Sequence, residues 1–356
     1  MQCQYHVKRK NRLCKMTVKE GEKFCGQHMV FDSSTDSNDN SKEIKHTRVE
    51  CPYDNKHTDR VPPIEREILH HVVLSEELKN SSYGPNKMKH LLQNSSLLGH
   101  AEKSGLLHQN TVFIEFGAGR GQLSYYIAKT MQEDNSCLLL LIDRASQRHK
   151  FDNKLKDSST LCKRIRADIS DLCLEFIPIL HQYKRIVSLG KHLCGSATDL
   201  ALRCVVNCNE VEEGRSVTAD GILMALCCHH RCDWNSYTGK DFMLAQGFTA
   251  DDFDVMSGIT SWATCGPAYS REMSIPEEYG SHGHVQRPTH LIPTDDERKI
   301  IGRKSKAIFN YGRQMYLESH GYKCRLIEYV TEETSPENVC VLAQRVIPHS
   351  TPQVSL

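Results

Sequence analysis

Glu115, Gly117, Gly119 and Gly121 lie in the run Val112-Phe-Ile-Glu-Phe-Gly-Ala-Gly-Arg-Gly121, an apolar stretch ending in three glycines with a carboxylate two residues before the first. Glycine allows a sharp turn and a close approach of backbone to a ligand, so the run predicts a buried strand that opens into a cofactor loop. A dinucleotide fold wants the spacing G-x-G-x-x-G, in which amides and a helix N-terminus cradle a pyrophosphate, but Gln122 holds the third glycine's slot. The spacing G-x-G-x-G behind an acid suits a cationic ligand without phosphates. S-adenosylmethionine is such a ligand, and Glu115 could face its amino or sulfonium end. A generic glycine turn is the bland alternative, which neighbouring motifs must decide. Leu138-Leu-Leu-Leu-Leu-Ile-Asp143 repeats the pattern of apolar strand and terminal acid, and Asp143 is the expected ligand of two vicinal ribose hydroxyls. Arg164-Ile-Arg-Ala-Asp168 ends a shorter strand at an acid able to accept from an adenine amino group, or else at a surface carboxylate after an edge strand.

These residues need a frame that brings strand ends together. Leu123 to Met131 and Ser196 to Val206 have helical spacing, whereas Arg185 to Gly195 and Asp220 to His230 each begin as a strand. Tyr322 to Val330 and Asn338 to Val346 read as a closing pair of strands joined by a polar turn. Strands alternating with helices predict an α/β fold with a Rossmann-like, doubly wound and mostly parallel sheet, whose ligands sit beyond the carboxyl ends of the strands. The chain of 356 residues has room for one such domain of about 250 residues plus small appendages. Its net charge of +1 gives no bulk attraction to nucleic acid, so a basic surface must be local. Sixteen cysteines, with no secretory leader and no apolar run near the length of a membrane span, point to a reducing intracellular compartment, nucleus or cytoplasm, and to thiols used as metal ligands or core residues.

Cys3, Cys14, Cys25 and His28, spaced C-x10-C-x10-C-x2-H, offer four soft ligands suited to tetrahedral zinc, with His6 as the alternative to Cys3. So small a segment cannot fold by burial alone, and metal would supply its folding free energy. Lys8, Arg9, Lys10, Arg12, Lys15 and Lys19, with Tyr5 and Phe24 among them, suit phosphate contact and base stacking, although a purely structural knuckle fits as well. Residues 32–48 are too polar to pack and read as a flexible linker. Cys51-Pro-Tyr-Asp-Asn-Lys-His57 is a C-x5-H half-site without a clear second half. The run Cys227-Cys-His-His230-x-Cys232 invites a further metal reading, which Cys194 or Cys265 would complete. Neighbouring side chains at a strand end point to opposite faces, however, so a pocket wall with His229 or His230 facing the substrate is the alternative.

Together the first finger, the half-site, Glu115-Phe-Gly-Ala-Gly119, Gly190-Lys-His-Leu-Cys-Gly195, Leu226-Cys-Cys-His-His-Arg-Cys-Asp-Trp234 and Ser261-Trp-Ala-Thr-Cys-Gly266 resemble the eukaryotic tRNA:m(4)X modification enzymes. The resemblance covers residues 1–58 and about 105–347, and it implies methyl transfer from S-adenosylmethionine to the ribose 2'-hydroxyl of nucleotide 4 in the acceptor stem of certain tRNAs. It also implies a division into a zinc finger (1–31), the linker (32–48), a partial CHHC-type finger (49–58), a connecting segment (59–104) and a methyltransferase domain (105–347). The chain departs from the family after the half-site. Its register breaks at Asp59, and Glu67 and His71 stand where two further ligands would be counted, as in a shortened form with a disrupted second finger.

A ribose hydroxyl is a poor nucleophile, so a base within about 3 Å must share its proton. Lys191 and His192 are the candidates, with a phosphate contact and a packing role as their alternatives. The helix Asp295 to His320 carries Arg298, Lys299, Arg303, Lys304, Lys306 and Arg313, a face that could lie on the acceptor stem or simply be solvated. Trp234 and Trp262 stack on a base or fill the core. Residues 267–293 read as a loop insertion. Two rivals remain. A dehydrogenase would bind NAD in place of S-adenosylmethionine, and a catalytically silent zinc-finger RNA-binding adaptor would lack methyl transfer.

Overall fold

The computed structural model describes residues 6–7, 12–13, 61–131, 135–148, 151–155, 160–208, 219–264 and 293–346. The chain divides into two units, Met1–Cys51 and Pro52–Leu356. In the first, strands β1 (His6–Val7) and β2 (Arg12–Leu13) pair antiparallel, His6 opposite Leu13. The expected ligands Cys3, Cys14, Cys25 and His28, the linker, Cys51 and His57 lie outside the described residues, as does residue 265 and nearly all of the expected loop insertion.

The second unit is built on an eight-stranded sheet. Its strands are β3 (Glu65–Arg66), β4 (Thr111–Phe116), β5 (Leu138–Ile142), β6 (Leu161–Ile165), β7 (Arg185–Cys194), β8 (Ala219–Cys227), β9 (Tyr322–Glu328) and β10 (Val339–Arg345). They lie in the order β3-β9-β10-β8-β7-β4-β5-β6. From β8 to β6 every pairing is parallel, and β10 enters antiparallel between β8 and β9. The strands β4 and β5 are buried throughout because both faces of the sheet are covered. The pleat sends Val112, Ile114, Phe116, Leu138, Leu140 and Ile142 into one core layer, with Ala201, Leu202 and Val205 of helix α4 (Ser196–Asn207). Phe113, Leu139 and Leu141 enter the other, under α2 (Pro85–Lys103), which follows the short α1 (Ser75–Leu78), and under α3 (Gln122–Thr130). Beyond the strand ends, α5 (Lys240–Ala245), α6 (Ala250–Thr260) and α7 (Asp295–Ser319) enclose a third cluster around Tyr237, Phe253 and Phe309.

The stretch read as a connecting segment is folded into this unit. Leu74, Leu91, Leu97 and Leu98 are core residues, and β3 adds to the sheet edge through Glu65 opposite Ile327. Glu67 pairs with Lys103 and Arg325. His71 accepts from Val73 N–H at 3.2 Å and donates its own amide to Ser95 Oγ at 2.9 Å. Both residues counted as stand-ins for finger ligands are thus absorbed by the large unit. The reason is local: α2 presents Ser95 and Ser96 to the amides of Leu69 and His71 in the irregular segment after β3.

Candidate active site at the carboxyl edge of the sheet

The glycine loop follows β4, Asp143 follows β5, Asp168 follows β6, Lys191 to Gly195 close β7, and Cys227 and Cys228 close β8. Because β4 to β8 are mutually parallel, all of these segments meet at one edge.

Gly117, Gly119 and Gly121 have φ of 59°, 51° and 74°, the left-handed region that only glycine enters freely. A side chain on Gly117 would press on Leu193 of β7, whereas one on Gly119 would meet nothing nearer than 3.9 Å. The loop therefore packs against β7 at its first glycine and faces open space at its second. Asp143 Oδ2 accepts from Gly119 N–H at 2.7 Å and Oδ1 from Ala145 N–H at 2.7 Å, so this carboxylate stands against the loop. Arg164 donates to the Gly119 carbonyl from the far side at 3.0 Å. Asp168 accepts from Ser170 N–H and Oγ and lies 3.4 Å from Arg144. The Ser170 hydrogen bonds first, then Arg144, hold its pKa below the usual carboxylate range.

Glu115 is 4 % exposed and turns inward under the loop. Its Oε2 accepts the Ser124 amide at 3.0 Å and the Ser124 hydroxyl, so it caps the first turn of α3 from the preceding strand, at the end where the helix dipole favours an anion. Burial raises its pKa against the opposing pull of Ser124 and of Lys191.

Lys191 is 7 % exposed. Its Nζ donates to the His90 carbonyl at 3.1 Å and to Asn94 Oδ1 at 2.6 Å, both on α2. Burial is the largest cause of a pKa lowered to about 7, with Glu115 pulling upward and Lys89 downward. His192 is exposed on one side and meets the His90 ring edge-on at 5.4 Å on the other. Desolvation of the packed side, then the charges of Lys191, His90 and Lys89, lower its pKa to about 4. Register explains how two adjacent residues both reach the rim. Gly190 pairs with Met224 and Leu193 with Leu226, so β7 carries one extra residue at Lys191-His192, a bulge of the kind that re-aims side chains next to active sites.

Asn94, His90, Ser124 and Arg164 were given no role by sequence reasoning. The signal for Asn94 was weak: α2 buries Gln93, Asn94, Ser95 and Ser96, and a polar run on a helix looks like a solvent face until its burial is known. Among the described residues Asn94 Nδ2 is buried without a hydrogen-bond partner, which leaves polar capacity beside Lys191.

Four cations of α7 are paired with acids of the same unit. Lys299 and Arg303 pair with Glu332, Lys306 with Glu337, and Arg313 bidentately with Asp199 at 2.6 and 3.1 Å. Lys306 and Arg313 are buried in these pairs and form no part of a surface, whereas Lys299 and Arg303 stay half-exposed. Trp234 packs on Phe253 at 5.4 Å, and Trp262 lies at the surface beneath Arg298 at 5.8 Å. Of the thiols, Cys194, Cys227 and Cys228 converge, whereas Cys232 Sγ accepts from Arg313 at 3.0 Å and His229 Nε2 bonds Asn310 Oδ1 at 2.6 Å. Among the described residues no helix is long and apolar enough to cross a membrane.

A parallel sheet with a glycine loop after its central strand, and with a reversed strand β10 set between β8 and β9, defines a Rossmann-like domain of the methyltransferase type. Residues 92–344 match the family model "Methyltransferase TRM13", and residues 1–29 match "CCCH zinc finger in TRM13 protein". The chain belongs to the TRM13 methyltransferase family. It is similar to the tRNA:m(4)X modification enzyme TRM13 of Schizosaccharomyces pombe, 32% identical over 97% of this chain and 91% of that one. It is also similar to the TRM13 homologue of Mus musculus, 29% identical over 98% and 95%. The mouse alignment spans 465 positions, more than the 356 residues present here, so that relative carries stretches with no counterpart in this chain. The S. pombe alignment spans 364, close to this chain's own length.

Proposed function

We propose that the protein transfers a methyl group from S-adenosyl-L-methionine to the ribose 2'-hydroxyl of nucleotide 4 in the acceptor stem of certain tRNAs. The observation that carries this reading is Lys191, a buried amine with its pKa lowered to about 7, next to the glycine loop at the edge where such sheets bind ligands. Names of the relatives, tRNA:m(4)X modification enzymes, support the substrate. A tRNA substrate in turn fits an intracellular setting.

The residues suit the cofactor. Gly119 faces open space, Asp143 stands beside it to accept from ribose hydroxyls, and Asp168 lies one strand further out to accept from the adenine amino group. Glu115 holds α3 in place and offsets positive charge near the loop. When bound, the cofactor supplies an electrophilic methyl group on a sulfonium. The protein's own part is to orient the ribose hydroxyl and take its proton. A neutral lysine has two N–H bonds, which His90 O and Asn94 Oδ1 accept, and its lone pair is left to receive the hydroxyl proton. His192, neutral at physiological pH, accepts or donates one hydrogen bond at the rim and orients the ribose. The N-terminal zinc finger, with zinc on Cys3, Cys14, Cys25 and His28, adds phosphate contacts from its basic residues.

Incubation of the full chain with labelled S-adenosylmethionine and unmodified tRNA, followed by mapping of 2'-O-methyl positions, tests the proposal. A single new methyl at nucleotide 4 is expected, and Lys191→Ala should cut turnover by about 10²- to 10⁴-fold with cofactor affinity unchanged. A methyl on a base or at another nucleotide, or a fully active Lys191→Ala enzyme, refutes it.

A further inference from the structure

The thiols at the ends of β7 and β8 take no part in the steps above. Cys194 and Cys227 are cross-strand partners, and their Sγ atoms are 4.0 Å apart. Cys228, the next residue along, would ordinarily point to the opposite face of the strand. Instead its backbone adopts φ 51°, a conformation costing a non-glycine residue roughly 1–2 kcal/mol, and its Sγ comes within 3.3 Å of Cys194 Sγ. The Glu337 carboxylate accepts the Cys228 N–H at 3.0 Å and holds the turn. On the other strand Gly195, at φ 60°, passes so close to the Arg231 carbonyl that a Cβ would collide with it. The strained turn at Cys228 and the glycine turn at Gly195 thus bring three sulfur atoms within 4.8 Å of one another.

We infer that Cys194, Cys227 and Cys228 form a second metal site, distinct from the N-terminal finger, which binds one zinc ion through three thiolates and leaves its fourth position to solvent. Zn–S bonds of about 2.3 Å at tetrahedral angles put sulfurs about 3.8 Å apart, and the observed separations bracket that value. Cys227 is buried, Cys228 half-buried and Cys194 exposed, so the trio has a closed floor and an open mouth. His229 and Cys232 do not join the cluster: His229 Nε2 bonds Asn310 and its Nδ1 faces Glu337, while Cys232 Sγ accepts from Arg313. The ion ties the tip of β7, three residues past Lys191, to the tip of β8, and so fixes the bulge that carries Lys191 and His192. Three thiols must lose their protons to solvent on binding; no oxidant is involved.

Metal analysis of the full chain purified under reducing conditions tests this. About two zinc equivalents are expected in the wild-type chain, one of them in the finger. Cys14→Ser with Cys25→Ser should retain one, and adding Cys194→Ser with Cys228→Ser should leave none. In the unmodified chain, Cys194 should resist iodoacetamide until a chelator is added, a readout that stands even where the multiple variant fails to fold. A metal-free finger variant, equal alkylation of Cys194 with and without chelator, or a Cys194–Cys228 crosslink found by mass spectrometry in place of metal would each overturn the inference.

Discussion

Lys191 and His192 are neighbours in sequence but answer to pH differently. As the proposed base, Lys191 must be neutral to take a proton, and its pKa is lowered to about 7, so turnover should rise with pH as the amine loses its proton and level off above that value. His192, with its pKa lowered to about 4, is already neutral across this range. His192→Ala should therefore reduce turnover without moving the midpoint of the pH profile. Lys191→Arg should be inactive at every pH, because guanidinium does not deprotonate. Glu115 raises the Lys191 pKa, so Glu115→Gln should shift the midpoint to lower pH. Steady-state rates of the variants from pH 5 to 9 check all of these, and a midpoint that follows His192 would reassign the base.

At the scale of elements, the glycines separate packing from ligand approach. Gly119→Ala has space for its methyl group and pays only the left-handed backbone cost of roughly 1–2 kcal/mol, so the chain should fold and lose cofactor affinity. Gly195→Ala drives a methyl into the Arg231 carbonyl and should destabilise by more than about 3 kcal/mol. Thermal melts and cofactor titration of the two variants distinguish them, and equal melting temperatures would refute the difference. The elements that were legible from sequence were those with period and punctuation: the apolar runs of β4 and β5, the glycine loop, and the β9 and β10 pair. What escaped did so for physical reasons. The strand β3 is two residues long and belongs to the sheet only by pairing with β9. Asn94 and Ser124 act through burial, which a polar residue does not advertise. The cations of α7 looked free because their partners Glu332 and Glu337 come from the distant turn between β9 and β10.

On the scale of the whole large unit, one ion pair joins its parts. Arg313 and Asp199 are fully buried, and Asp199 Oδ1 also accepts from Thr238 N–H at 3.1 Å and Oγ1 at 2.9 Å. The pair links α4 on the sheet, α7 and the segment before α5. Removing one partner leaves a buried charge unanswered, so Asp199→Ala should cost about 3–5 kcal/mol, measured by denaturant unfolding. Lys299→Ala, which removes a half-exposed ion pair with Glu332, should cost less than about 1 kcal/mol. A small effect at Asp199 would mean that the cap and the sheet unfold separately.

The extra residue in β7 has its own consequence for how such a chain can change. Deleting His192 would remove the register shift between Gly190 and Leu193, leaving only the one at Ile186 and Val187, and the shortened strand would hydrogen-bond more regularly with β8 than the natural one. Regular pairing and a working rim are thus opposed at this one position: the variant with the tidier sheet would be the one that has lost its chemistry.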